Sequence, residues 1–223
     1  MELIDTVGPI KTEKDQLNGI FNYIKKKIGV NDLESTGIVT LSSSGTSYGK
    51  LKNIISWDGV AWASTFSSDS WFEITFPNHF VLPHSYSMRA PYFCTETGTG
   101  SYYYQKEWKV YGYNDWDDEN QWTLIGDHDN SNGFCKNAGT SCREDTTTTF
   151  YLQRNNKWFK HIRWVLVTPS YFRGPRMTTG GIEIYGALSK TPFDVMCYCS
   201  CNRRTGFSSC FCTIFILDHF KSH

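Results

Sequence analysis

In the segment WFEITFP (71–77), Phe72, Ile74 and Phe76 alternate with Trp71, Glu73 and Thr75. A period of two is that of a strand with one face on a core and the other toward solvent. The same pattern runs through GIVTLSSS (37–44), HFVLPHSYSMRA (79–90), WKVYGYN (108–114), WTLIGD (122–127), TTTTFYLQ (146–153), HIRWVLVTP (161–169) and GIEIYGAL (181–188). Pro83 predicts an edge position or a bulge in its strand, and the acidic stretch DWDDEN closes a hairpin between WKVYGYN and WTLIGD. Short strands separated by turn-rich loops predict an all-β antiparallel sandwich rather than βαβ units. One helical period precedes them. Leu17, Ile20, Phe21, Ile24 and Ile28 predict a short N-terminal helix that Gly29 stops, with Lys25, Lys26 and Lys27 solvated at its C-terminal end.

Beyond Ser189 the alternation ceases, which divides the chain into a sandwich domain (1–189) and a cysteine-rich tail (190–223) expected to be poorly ordered. Composition narrows the function classes. Lys plus Arg and Asp plus Glu both total 22, so a formal net charge of zero offers no footprint for nucleic acid or for acidic membranes. MELIDTVGPIKTEKDQL contains no apolar run of signal-peptide type, and no stretch approaches the roughly 18–20 apolar residues of a membrane span. The expectation is a cytoplasmic protein with no membrane span. Five of the eight cysteines crowd into the tail, leaving Cys94, Cys135 and Cys142 in the body, a poor disulfide framework.

Several pieces, taken in order, resemble the discoidin family, the coagulation factor five/eight type C domains of the galactose-binding-like class. They are LNGIFNYIKKKIG (17–29), GIVTLSSS (37–44), KNII (52–55), SWFEITFPNHFVLPHSYSMRA (70–90), EWKVYGYND (107–115) with WTLI (122–125), FKHIRW (159–164) and GIEIYGAL (181–188). The likeness is nearest to protist versions often found beside BTB domains. It implies a jelly-roll sandwich of about eight strands, without catalytic activity, whose end loops bind carbohydrates, lipid head groups or proteins. Secreted members join their two ends by a disulfide, whereas the first cysteine here is Cys94.

Candidate chemistry is then read against simpler explanations. Gly45-Thr46-Ser47-Tyr48-Gly49 fits the G-x-S-x-G elbow of serine hydrolases, but the chain lacks the parallel sheet and following helix that the elbow needs. Asp115, Asp117, Asp118 and Glu119 could attract a hard cation but lack calcium-loop spacing. The tail motif C-x-C-x-C-x8-C-x-C is metal-like, although structural zinc sites usually separate paired ligands by two to four residues. Zinc binding, acylation and an unordered tail stay open there, and no metal or cofactor is expected. Cys135 and Cys142 are expected as free thiols. Arg163 and Glu183, in the last two core strands, are expected to pair.

Aromatic residues in loops are what a binding rim uses. The expected ligand site therefore comprises Trp57, Asp58, Tyr102, Tyr103, Asn114, Asp115 and Trp116, gathered at one end of the sandwich. The function expected is non-catalytic recognition of a carbohydrate or protein ligand. An intracellular protein-interaction adaptor without a glycan ligand is the alternative, and a serine hydrolase the remote one. The oligomeric state is open.

Overall fold

A computed structural model describes residues 6–7, 17–89, 105–118, 121–129, 147–168, 175–191, 194–201 and 210–217. In chain order the elements are β1 (Thr6–Val7), α1 (Ile20–Ile28), β2 (Thr40–Ser43), β3 (Thr46–Tyr48), α2 (Asn53–Ser56), β4 (Trp62–Ser64), β5 (Trp71–Thr75), β6 (Phe80–Arg89), β7 (Glu107–Tyr113), β8 (Thr123–Asp129), β9 (Thr147–Tyr151), β10 (His161–Thr168), β11 (Thr178–Thr179), β12 (Gly181–Ser189), β13 (Asp194–Cys201) and β14 (Cys210–Leu217). Cys94, Tyr102, Tyr103, Glu119, Cys135 and Cys142 lie outside the described residues.

A five-stranded sheet, β2-β5-β10-β7-β8, and a four-stranded sheet, β1-β12-β6-β9, carry the core, and every pairing in them is antiparallel. The chain passes between the two sheets from β5 to β6, β6 to β7, β8 to β9 and β9 to β10. The fold is thus the all-β antiparallel sandwich that the alternation predicts, of the jelly-roll kind that the family resemblance implies, with α1 as its N-terminal helix. Large rings join the layers. Trp108 of β7 donates its indole N–H to the Tyr86 hydroxyl of β6 at 2.6 Å, and Trp164 of β10 meets Tyr86 edge-on at 5.4 Å. Phe72 stacks on Trp164 at 4.9 Å. Phe72, Ile74 and Phe76 are all fully buried.

Pro83 stands opposite Gly186, where the β6–β12 register slips, so the bulge expected near the proline is present. It is not an edge: β6 lies between β12 and β9. Gly186 has φ of 150°, and a Cβ there would meet the Leu82 carbonyl oxygen at 2.1 Å.

The expected Arg163–Glu183 pair does not form, because β10 and β12 belong to different sheets. Arg163 faces Glu73 on the outer side of the five-stranded sheet. Glu183 is fully buried beneath α1 and accepts the backbone N–H groups of Phe21 at 2.9 Å and Asn22 at 3.1 Å. It thereby does for the first turn of α1 what Gly19, which has no side chain, does not. The lysine triplet is also not uniformly solvated. Lys25 is buried over the Trp57 ring at 4.2 Å and donates to the Ile55 carbonyl, and burial lowers its pKa.

In the tail, where no regular element is predicted, the backbone forms two strands. β13 and β14 pair with each other as a separate antiparallel ladder. A three-stranded sheet, β11-β4-β3, ties the chain between β2 and β5 to the segment that precedes β12.

Candidate functional site

β7 ends at Tyr113, and the chain turns at Asn114 to reach β8. Asn114 is fully buried, because its amide spans two segments: Nδ2 donates to the Trp158 carbonyl at 2.9 Å and Oδ1 accepts the Lys160 N–H at 2.8 Å. Its own backbone N–H donates to Asp117 Oδ2 at 3.0 Å, and the Asp117 N–H returns to the Asn114 carbonyl at 2.9 Å. Lys157 Nζ reaches the same Asp117 carboxylate at 3.2 Å. The 114–117 turn is therefore tied to the 157–160 segment at three residues. Trp116, at its tip, rests against Phe80 at 5.1 Å between ring centroids and remains 59% exposed.

Asp115 faces β10. His161 Nε2 lies 2.7 Å from Asp115 Oδ1, and its Nδ1 lies 2.9 Å from Glu73 Oε1. Lys160 also pairs with Asp115. With a carboxylate at each ring nitrogen, the imidazolium donates both N–H groups. Burial opposes its charge, but the bonds to Glu73 and Asp115 outweigh that and hold the His161 pKa above the usual value. Burial would likewise raise the Glu73 carboxyl, yet hydrogen bonds from His161 and Arg163 and their charges hold it low. The Lys160 hydrogen bond, then that of His161, keeps Asp115 low.

The outer face continues from this cluster. Arg163 donates to Glu73 Oε2 through Nε at 2.9 Å and Nη2 at 2.6 Å, and its guanidinium lies between Trp71 at 4.2 Å and Trp122 at 4.1 Å. Trp122 stacks on Tyr113 at 5.0 Å. Trp71 and Trp122 thus flank a cation on the outer face, while Trp108 and Trp164 occupy the core.

Trp57 and Trp116 do not share an end of the sandwich. Trp57 lies over Gly181, the first residue of β12, and donates to the Ile182 carbonyl at 3.0 Å. Trp116 touches Phe80, which pairs with Ser189, the last residue of β12. About 25 Å of strand separates them. Asp58 stays with Trp57, accepting from Asn53 Nδ2 at 2.8 Å and from the Val60 N–H at 3.0 Å. Of the expected site residues, the fold brings together Asn114, Asp115 and Trp116 and leaves Trp57 and Asp58 at the far end. Sequence reasoning missed Phe80, Lys160 and His161 as neighbours of that cluster, since each comes from another connection or strand.

The other candidate chemistries resolve locally. Ser47 lies in the antiparallel strand β3, donates to the Ser64 carbonyl at 2.5 Å and accepts from Arg176, so no strand-to-helix elbow forms around it. Asp115, Asp117 and Asp118 each hold a separate partner: Lys160, Lys157 and Gln121. Among the described residues no group of three or more His, Cys, Asp or Glu side chains is arranged to hold a metal. A cavity of about 450 Å³ opens beside the other end of β7 and β8, lined by Glu107, Asp127, His128, Asp129, Phe150 and Val167. Among the described residues no helix is long and apolar enough to cross a membrane.

Fold and site together define a β-sandwich with a braced, aromatic-tipped turn at one end. No protein-family model matches the chain, and no curated protein matches it. Solved structures do. The module CpGH89CBM32-5 of Clostridium perfringens, in complex with GalNAc-beta-1,3-galactose, is 9% identical over 67% of this chain and 96% of its own, with a TM-score of 0.47. The family 32 carbohydrate-binding module of C. perfringens NanJ, in complex with galactose, is 9% identical over 66% of this chain and 93% of its own, with a TM-score of 0.45. A fucolectin from striped bass serum is 9% identical over 67% of this chain and 47% of its own, with a TM-score of 0.46. These are likenesses of fold alone.

Proposed function

We propose that the chain is a non-catalytic recognition module that binds a carbohydrate at the end of the sandwich carrying Trp116. The observation that carries this reading is an indole 59% exposed on a turn that buried Asn114 and paired Asp117 hold rigid. A turn tied to the 157–160 segment by Asn114 and Asp117 leaves less conformational entropy for a ligand to remove. A flat exposed ring offers the stacking surface for the C–H face of a pyranose. Asp115, 55% exposed at its side chain, and Lys160 beside it supply directional hydrogen bonds that the ring alone lacks. His161 supports the non-catalytic reading: both its nitrogens face carboxylates, which leaves no free lone pair for a general base.

Trp116→Ala and Trp57→Ala, each probed on a glycan array and by thermal melting, test the assignment. Trp116→Ala is expected to lose glycan capture with an unchanged Tm. Trp57→Ala is expected to melt several degrees lower, since its ring lies over Gly181 and beneath Lys25. Glycan capture that survives in Trp116→Ala removes the site. A wild-type chain silent on the array but able to capture a protein partner through Trp116 moves the ligand to the protein class.

A further inference from the structure

His161 is the first residue of β10, and its ring joins Asp115 of the Trp116 turn to Glu73 of β5. Nε2 lies 2.7 Å from Asp115 Oδ1, and Nδ1 lies 2.9 Å from Glu73 Oε1. A ring with an acceptor at each nitrogen is fully satisfied only as the imidazolium, which has two N–H donors where the neutral ring has one. Once the proton leaves, one nitrogen turns a lone pair on a carboxylate oxygen, and that contact becomes repulsive.

The surroundings decide which contact breaks. Glu73 is fixed: its side chain is 9% exposed, Arg163 donates to its Oε2 through Nε and Nη2, and Thr75 donates to its Oε1 at 3.1 Å. Asp115 is 55% exposed, so water can solvate its carboxylate once it turns outward. The neutral ring therefore keeps its N–H on Nδ1, toward Glu73, and Asp115 leaves Nε2. Among the described residues, the titratable groups that face the ring are these two carboxylates and Tyr113 of β7, at 5.5 Å between ring centroids. Arg163 lies beyond Glu73, and Lys160 lies beyond Asp115. Burial disfavours the charged ring, but its bonds to Glu73 and Asp115 prevail, so the proton leaves above about pH 6.5. Both carboxyls are held low and stay charged throughout that range.

We propose that His161 is a positioning residue for the sugar site and makes it pH-sensitive. Charged, it holds Asp115 beside Trp116 in the binding arrangement; on losing its proton it releases Asp115 and weakens capture. The inference rests on the carbohydrate reading of the Trp116 turn. His161 acts through Asp115 and has no contact with the sugar. A misplaced hydrogen bond from a charged group costs about tenfold in affinity.

The test uses the full chain and an array of neutral hexopyranosides, whose own charge does not change with pH, at a temperature below the onset of melting. Capture by the wild type is expected to fall about tenfold between about pH 5.5 and about pH 8.5. In NMR spectra of the sugar-free chain, the Trp116 indole N–H signal, assigned by its loss in Trp116→Phe, is expected to shift with the same midpoint as the His161 ring signal. His161→Gln, which cannot take up the proton, is expected to show level capture across this range. Glu183→Gln, which removes the buried carboxyl that titrates near about 8, is expected to keep the fall. Four outcomes overturn the proposal and leave the carbohydrate reading standing: level capture by the wild type, a Trp116 signal indifferent to His161, a fall that survives in His161→Gln, or one that vanishes in Glu183→Gln. A chain that captures no sugar at either pH overturns the carbohydrate reading and the pH control with it.

Discussion

Glu183 shows how one side chain can couple a helix to a sheet. Its carboxyl lies under α1, where burial pushes its pKa up to about 8 while the N–H groups of Phe21, Asn22, Ile184 and Gly19 pull it back only in part. Between the unfolded carboxyl value of about 4.3 and the folded value, the native chain holds a proton that the unfolded chain has released. Stability from this group therefore falls as pH rises across that window. His161, raised by its two carboxylates, acts in the same direction: its contribution is complete below about 6.5 and is lost as pH climbs through the raised value. Glu73, held low, contributes above its unfolded value near 4.3 and loses that contribution as pH falls through the lowered one. Urea midpoints across pH are thus expected to peak in mildly acid buffer and to decline toward pH 9. In Glu183→Gln the alkaline decline should flatten. A wild-type midpoint that stays level or rises from pH 5 to pH 9 contradicts both assignments.

At the scale of elements, α1 is held by what lies beneath it. Ile20, Phe21 and Ile24 are fully buried, and Phe21 stacks on Phe76 at 6.0 Å. Its first turn ends on Glu183, and Lys25 anchors its far side to α2 through the Ile55 carbonyl and the Trp57 ring. Gly19 is small for a packing reason: a Cβ there would lie 2.3 Å from the Ile184 carbonyl oxygen and 2.5 Å from Glu183 Cγ. Gly19→Ala is expected to cost about 1–3 kcal/mol, measured as a lower urea midpoint with an unchanged m-value. An Ala variant as stable as the wild type would mean that the helix can lift off β12 freely. The same logic applies to β10. Its inward residues Ile162 and Trp164 are core, and its outward residues His161 and Arg163 tie β5 and the 114–117 turn to the sheet. Arg163→Ala leaves the Glu73 carboxylate with His161 and Thr75 alone and empties the slot between Trp71 and Trp122. A loss of about 1–3 kcal/mol is expected, more than an exposed ion pair contributes, and Arg163→Lys should recover only part of it.

For the whole molecule, the sandwich core closes within residues 17–189, and among the described residues β13 and β14 join none of its sheets. Removing 190–223 is expected to leave a domain that melts cooperatively at an unchanged Tm; an insoluble or molten product would mean that the tail packs on the sandwich. Much of this architecture was legible in the sequence, because a period of two reports a strand with one buried face wherever it occurs. WFEITFP, HIRWVLVTP and GIEIYGAL sit where their alternation puts them, and Ile162, Trp164, Ile182 and Ile184 are buried as it requires. The short pieces β3, β4, β11 and α2 were not, since two to four residues carry no measurable period. Of the candidate site, the turn residues Asn114, Asp115 and Trp116 were marked by type alone. Alternation decides which face a residue takes on its own strand, but it is silent on which strand comes next to it. That choice made Glu73 rather than Glu183 the partner of Arg163, buried Glu183 under a helix, and set Trp57 and Trp116 at opposite ends. The sequence by itself determined the strands, their inward faces and the chemistry available in each loop. Only the tertiary structure decided which loops meet, because pairing and winding between two sheets are set by contacts among residues from some forty to more than a hundred positions apart.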